Sequence, residues 1–376
     1  MKSSVTYSKL STLCKVQNGY AFDSKLFTSD SNDMPLVRIR DIKTGQTETF
    51  YKGNYSQEYV LHNGDYIIGM DGEFNITEWQ GGDALLNQRV CRIIVSSNKL
   101  LPKYVLYFLP IPLRKIEDET PFVTVKHLSS KKLNDIIIPV PSIEEQQRIV
   151  DELDLLSDII DKKKAQLRDL DALTQSIFYE MFGDPITNDK GWPVCHLEEI
   201  ASSQIGLTYK PKNVSDTGTV VLRSSNIQNS LIDLNDIVRV NCDIKEKQFV
   251  REGDILMCSR NGSFRLVGKV ARIQNLPERM SYGAFMTIIR SDYNDYLFGF
   301  FKTPAFRAQL GLAKTATINQ ITVKMLNAIQ LPVPPKDIQA SFAERISHIS
   351  SQQNAIIESL KDIQHLFDSR MSLYFG

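Results

Sequence analysis

The sequence predicts an α+β protein in which two pseudo-symmetric mixed α/β domains are joined by two long helices packed as an antiparallel coiled coil. Three observations predict it. A set of residues recurs at one fixed offset, an apolar seam of helical period follows each copy, and no regular alternation of strand and helix signals a doubly wound sheet.

The repeat is read residue by residue. Thr124, Leu133, Asn134, Pro139, Val140, Pro141 and Gln146 return as Thr317, Leu326, Asn327, Pro332, Val333, Pro334 and Gln339, each 193 positions later. The same offset pairs Leu167, Asp169, Leu173 and Ser176 with Leu360, Asp362, Leu366 and Ser369, and Phe182-Gly183 with Phe375-Gly376. Earlier in each copy Leu10, Gln17 and Gly19 match Leu197, Gln204 and Gly206 at offset 187, and Gly64-Asp65 matches Gly253-Asp254 at 189. Identities that hold one offset over so many positions mark a duplication.

Four segments follow: domains at 1–142 and 184–334, and helices at 143–183 and 335–376. In the first helix Ile149, Leu153, Leu156, Ile160, Leu167, Leu170, Ile177 and Met181 form a heptad seam interrupted at Lys163 and Thr174. Ser142 with Glu145 three residues on reads as a capping box, and Gly183 before Pro185 as a stop. In the second, Phe342, Ile346, Ile349, Ile356, Leu360, Ile363 and Phe367 continue the pattern, interrupted at Gln353 and Arg370. Forty residues at 1.5 Å each give roughly 60 Å of helix. Two such seams need partners, and the simplest partner of each is the other. Within the domains, strands are expected at 36–39, 66–68, 90–95, 220–222 and 285–289, and helices at 102–108 and 295–301.

Composition narrows the class. With 376 residues, 42% apolar and 23% charged, the chain is an ordinary globular one of two or three domains. The N-terminus MKSSVTYSKL carries no apolar stretch, so no signal peptide and no membrane association are expected. Cys14, Cys91, Cys195, Cys242 and Cys258 are scattered and never spaced CxxC, which fits a reducing cytoplasm. Formal charge is zero overall but +2, −5, +4 and −1 over the four segments in order. Mildly basic domains beside an acidic helix suit phosphate contacts by the domains and a different partner for the helix.

Catalytic signatures are missing. Val333-Pro334-Pro335-Lys336 lacks the aromatic that a methyltransferase amine-holding motif needs, and 262–270 misses the phosphate-loop spacing and its hydroxyl. Asp65 and Asp254 have no acidic-x-Lys pair to complete a nuclease metal site, and His62, His127, His196, His348 and His365 form no metal-spaced pair. No catalytic residue, metal site or directly bound cofactor is expected.

The duplication, the [IL]-P-[LV]-P-[PS]-x-x-x-Q entry to each helix (Ile138 to Gln146 and Leu331 to Gln339) and the MFGDPITNDKGWP junction at 181–193 together resemble the specificity subunit of type I restriction-modification systems, over essentially the whole chain. The resemblance implies two target recognition domains, each reading one half of a split site in double-stranded DNA. It implies helices that set the gap and dock DNA adenine methyltransferase (modification) subunits and, through them, a restriction/translocase subunit. S-adenosylmethionine, ATP and magnesium are then expected on those partners, in a bacterial or archaeal cytoplasm. The second helix departs from the first: Lys336 and Ile338 replace Ile143 and Glu145, so its acidic pair is missing.

Base reading needs donors and acceptors on loops that can enter a groove, Arg for guanine and Asn or Gln for adenine. In the first domain Asp71, Glu73, Phe74 and Asn75 after the Gly64-Asp65 strand, with Trp79, Gln80, Gln88 and Arg89, are the candidates. In the second they are Ser259, Arg260, Asn261, Ser263, Phe264 and Arg265. Arg38, Arg40, Arg223 and Asn226 follow the early strands as phosphate or base contacts, and Lys126, Lys210, Lys212 and Lys324 are expected on phosphates. Two rival readings stand beside this one: a coiled-coil scaffold with protein-binding globular ends, and a stand-alone DNA-modifying enzyme.

Overall fold

A computed structural model describes residues 5–120, 126–311 and 320–376, so the repeat pair Thr124 and Thr317 lies outside the described residues. The long helices are Ile143–Phe182 and Lys336–Phe375, each of 40 residues. The chain divides into two compact units that cut both helices: one runs to Lys162 and takes in Leu360–Gly376, the other is Lys163–Ser359.

In the first unit the central sheet is antiparallel, in the order Cys14–Asn18, Val90–Val95, Tyr66–Gly69, Ile76–Glu78. A second sheet of five short strands holds one parallel pair, Met34–Val37 beside Ala84–Leu86. The second unit repeats the scheme, with Ala201–Ile205, Met286–Ser291, Ile255–Cys258 and Val270–Arg272 in one sheet and the parallel pair Thr219–Leu222 and Met280–Tyr282 in the other. Helices form at Pro102–Phe108 and Asn294–Phe301, and the Met34–Val37 strand begins and ends two residues before the expected 36–39.

The repeated residues are those the backbone depends on. Gly19 packs so closely that an added Cβ would lie 2.1 Å from the Asn87 carbonyl oxygen, and at Gly206 it would lie 2.3 Å from that of Gly283. Only glycine fits such an approach. Asp65 and Asp254 cap the turns before the central strands, accepting from the amides of His62 and Arg251 at 2.8 Å each. Each carboxylate also meets an arginine, Arg92 at 2.8 Å and Arg290 at 2.8 Å. Gln146 is wholly buried, donates to the carbonyls of Lys99 and Pro141 and accepts from the Leu101 amide, all at 2.9 Å; Gln339 donates to Pro334 at 2.6 Å. A glutamine at that position ties the start of each long helix to the turn before it.

Helix ends complete the domain cores. In the first unit Ile149, Val150, Leu153 and Phe375 belong to the main core, with the Phe375 ring 5.3 Å from Tyr104. In the second, Phe178, Phe182, Phe342 and Ile346 do the same, with Phe182 4.9 Å from both Tyr296 and Phe342. The two helices run antiparallel within each unit. Glu152 meets Arg370 at 2.8 Å and Tyr374 at 2.5 Å while Arg148 lies over the Tyr374 ring, and in the other unit Glu180 meets Arg345 at 3.4 Å.

Two details differ from the sequence reading. The seam holds through Ile149, Leu153, Leu156, Ile160 and Leu167, but the next buried positions are Phe178 and Phe182, not Ile177 and Met181, which are half-buried. From Leu167 the face advances by eleven residues, the natural drift of a straight α-helix against a seven-residue repeat, and the aromatic pair claims the core. At the helix start Ser142 Oγ accepts from the Glu145 amide at 3.3 Å, whereas the Glu145 carboxylate turns to Arg148 at 2.7 Å.

Candidate nucleic-acid interface

In each half one loop leaves the central strand and is fastened on both sides by backbone hydrogen bonds. The Met70 amide donates to Arg89 and its carbonyl accepts from Leu128, at 3.0 and 2.8 Å. The Ser259 amide donates to Phe285 and its carbonyl accepts from Ile321, at 2.9 and 2.7 Å. Isolated bridges then pair Asp71 with His127 and Arg260 with Gln320. The pattern makes Met70 equivalent to Ser259, Asp71 to Arg260, Arg89 to Phe285 and His127 to Gln320.

On the first loop the Asp71 carboxylate lies 2.7 Å from His127 Nδ1 and 3.3 Å from Arg89 Nε. Glu73 pairs with Lys43 and accepts from Asn75 at 3.2 Å. The neighbouring Lys43 and Asn75 hold the Glu73 carboxyl below its ordinary range. Lys126 borders this group, its carbonyl accepting from the Gly72 amide at 2.8 Å.

On the second loop Arg260 is exposed and its guanidinium lies 5.2 Å from the centre of the Phe285 ring, which is 57% exposed. Among the described residues no carboxylate meets Arg260 or Arg265. Asn261 donates to Ser224 Oγ at 2.9 Å and accepts from the Ser263 amide at 2.9 Å, and Phe264 lies under Arg307. Beside Phe285 opens a cavity of about 570 Å³ lined by Tyr209, Arg223, Ser224, Asp236 and Met286 among others, with Arg223 held to Asp236 at 2.9 Å.

Four expected contact residues are buried and serve the scaffold. Trp79 is 1% exposed and its Nε1 donates to the Gly82 carbonyl at 2.6 Å; its indole is a core side chain with one satisfied polar atom. Phe74 packs in the main core of the first unit. Asn226 spends its oxygen on the Arg223 amide and its nitrogen on the carbonyls of Asp233 and Asp236, all at 2.8 Å, as a turn cap. Ser259 is buried and donates to Thr287 Oγ1 at 2.6 Å. None of these side chains is free to reach a base edge.

The remaining candidates are accessible but scattered. Gln80, Gln88, Lys210, Lys212 and Lys324 are exposed, and Gln80 donates to Glu78 at 2.7 Å. Arg40 donates to Thr49 at 2.9 Å, and Arg38 is half-buried with its amide on Asp41. His127, Gln320 and Phe285 were missed by the sequence reading. His127 and Gln320 stand 193 positions apart, so the repeat itself carried the signal.

Among the described residues no group of three or more His, Cys, Asp or Glu side chains is placed to hold a metal ion, and no helix is long and apolar enough to cross a membrane. Burial pushes the Cys14 thiol up to about 11 and that of Cys91 up to about 12, which keeps both protonated near neutrality.

The family model for the type I restriction modification DNA specificity domain matches residues 2–170 and 189–364. The Escherichia coli type I restriction enzyme EcoBI specificity subunit is 28% identical over 92% of this chain and 79% of its own length. The EcoKI specificity subunit of the same species is 30% identical over 43% of this chain and 37% of its own. Among solved structures, the type I restriction-modification S subunit from M. genitalium superposes with a TM-score of 0.56 at 12% identity, covering 99% of this chain and 96% of that one.

Proposed function

The chain belongs to the type I restriction modification DNA specificity family, and from that membership we propose that it reads a two-part DNA sequence, one half through each globular domain, 1–142 and 184–334. The observation that carries this is the pair of equivalent, doubly fastened loops with different side chains at matching positions, Asp71 and Arg260. A scaffold that holds its backbone and varies its exposed groups is what a reader of two unlike half-sites needs. The protein is a specificity subunit, and its family has no catalytic role of its own.

Docking and chemistry are assigned to partners. The acidic first helix, −5 over 143–183, offers a charged face to modification subunits, which carry S-adenosylmethionine; a restriction subunit would bring ATP and magnesium. Rigid helices 143–183 and 335–376 fix the gap, because readers about 34–36 Å apart face one side of a duplex. The site of action is a cytoplasm containing DNA. The test is to co-express the chain with an adenine methyltransferase modification subunit and sequence the host genome for methylated adenines. A split motif with a fixed gap supports the reading, and exchanging residues 184–334 must alter one half only. An intact complex that methylates no such motif overturns it in favour of a protein-binding scaffold.

A further inference from the structure

Resting on that reading, we infer that each half-site contains a guanine read by an arginine at the same place in the fold, supplied from opposite sides of the loop: Arg89 in the first domain and Arg260 in the second. The equivalence comes from the backbone. Arg89 and Phe285 accept from matching loop amides, and Asp71 and Arg260 make matching bridges to His127 and Gln320. Each pair of positions therefore holds one guanidinium and one support, with the roles exchanged.

The supports differ in kind and do the same job. In the first domain the carboxylate of Asp71 meets Arg89 at Nε, 3.3 Å away, on a side chain that is 55% exposed, so the contact does not use up the donor fork of the two terminal nitrogens. His127 holds the other carboxylate oxygen at 2.7 Å and fixes its orientation. In the second domain the Phe285 ring lies under Arg260 at 5.2 Å, a cation–π contact that holds the guanidinium without occupying its N–H donors. Two parallel donors match the O6 and N7 acceptors of guanine in the major groove and no other base presents that pair. Both arginines are exposed, and Arg89 is neutralised by Asp71 whereas Arg260 is not. The second domain thus draws more of its affinity from charge, and its binding is the more salt-sensitive.

The experiment uses the full chain co-expressed with its modification subunit and reads adenine methylation genome-wide. Arg260→Lys and Arg89→Lys keep charge and stem but lose the fork. Each is expected to relax one guanine in one half-site, lowering discrimination there roughly ten- to a hundredfold while the other half stays stringent. The unaffected half reports that the complex is folded. Asp71→Asn is expected to relax the same position as Arg89→Lys, and Phe285→Leu the same position as Arg260→Lys. A parent complex without a split motif would overturn the proposed function itself. A split motif lacking guanine in either half, or both lysine variants leaving every position as stringent as before, would overturn this inference alone.

Discussion

The two halves make the same backbone hydrogen bonds around a loop on which one carries Asp71 and the other Arg260. Elsewhere in each half, Gly19 and Gly206, Asp65 and Asp254, and Gln146 and Gln339 are identical between the halves and sit against backbone. The difference separates two kinds of constraint. At these three pairs, close contact with the main chain accompanies identity, whereas the matching loop position carries side chains of opposite charge. Identity between halves marks scaffold, and divergence on equivalent exposed positions marks reading.

The comparison can be broken most forcefully at the helix ends. Phe182 and Phe375 are equivalent, yet Phe182 fills the core of one unit and Phe375 that of the other. Truncating either to Ala removes a buried aromatic ring, at a cost of about 3–5 kcal/mol. The two tryptophans report separately, Trp79 from a buried cluster of the first unit and the half-buried Trp192, whose Nε1 donates to the Phe182 carbonyl at 3.0 Å, from the second unit. Urea unfolding of each variant in both single-tryptophan backgrounds, Trp79→Phe and Trp192→Phe, should show Phe182→Ala weakening chiefly the Trp192 transition and Phe375→Ala chiefly the Trp79 transition. If each change weakens both transitions equally, the units do not unfold separately and the comparison loses its energetic meaning.

A middle-sized effect sharpens the glutamine pair. Gln146 satisfies three backbone groups and is fully buried, while Gln339 serves one carbonyl. Replacement by Leu should cost about 3 kcal/mol at 146 and about 1 kcal/mol at 339, because each buried group left unpaired carries its own desolvation penalty. Equal losses in chemical denaturation would show that the turn, not the side chain, holds the helix start.

What could be read from sequence follows the same division. The helix seam was legible because burial on one face repeats faithfully from Ile149 to Leu167; it failed at Ile177 and Met181, where helix drift and two phenylalanines reassign the face. Of the five-stranded sheet only the Met34–Val37 strand was legible, because strands such as Phe27–Thr28 and Phe50–Tyr51 are too short for period-two alternation to register. On the loops, residue type alone does not distinguish a reader from a cap: Asn226 and Asn261 look alike in sequence, but one spends its amide on three backbone groups and the other holds a serine at the cavity. Trp79 was misread for the same reason, since an indole suits a core as well as a groove.

The smallest expected effect lies at the helix starts, where the halves differ in charge. Glu145 is held below its ordinary pKa by the Arg148 guanidinium, and its equivalent is the uncharged Ile338. A carboxylate with a depressed folded pKa stabilises above its unfolded value, near 4.3, and loses that contribution as pH falls through the lower folded one. The pair is exposed, so its worth is about 0.5 kcal/mol. Glu145→Gln should therefore lower amide protection over 143–150 at pH 7, and the difference from the parent should shrink as pH falls through the depressed folded value. Ile338→Gln should show no such pH dependence over 336–343. A pH-dependent loss at both helix starts would mean that the helix N-termini, and not the Glu145–Arg148 pair, set the response to acid, and the first half would then owe no part of its acid sensitivity to this divergence.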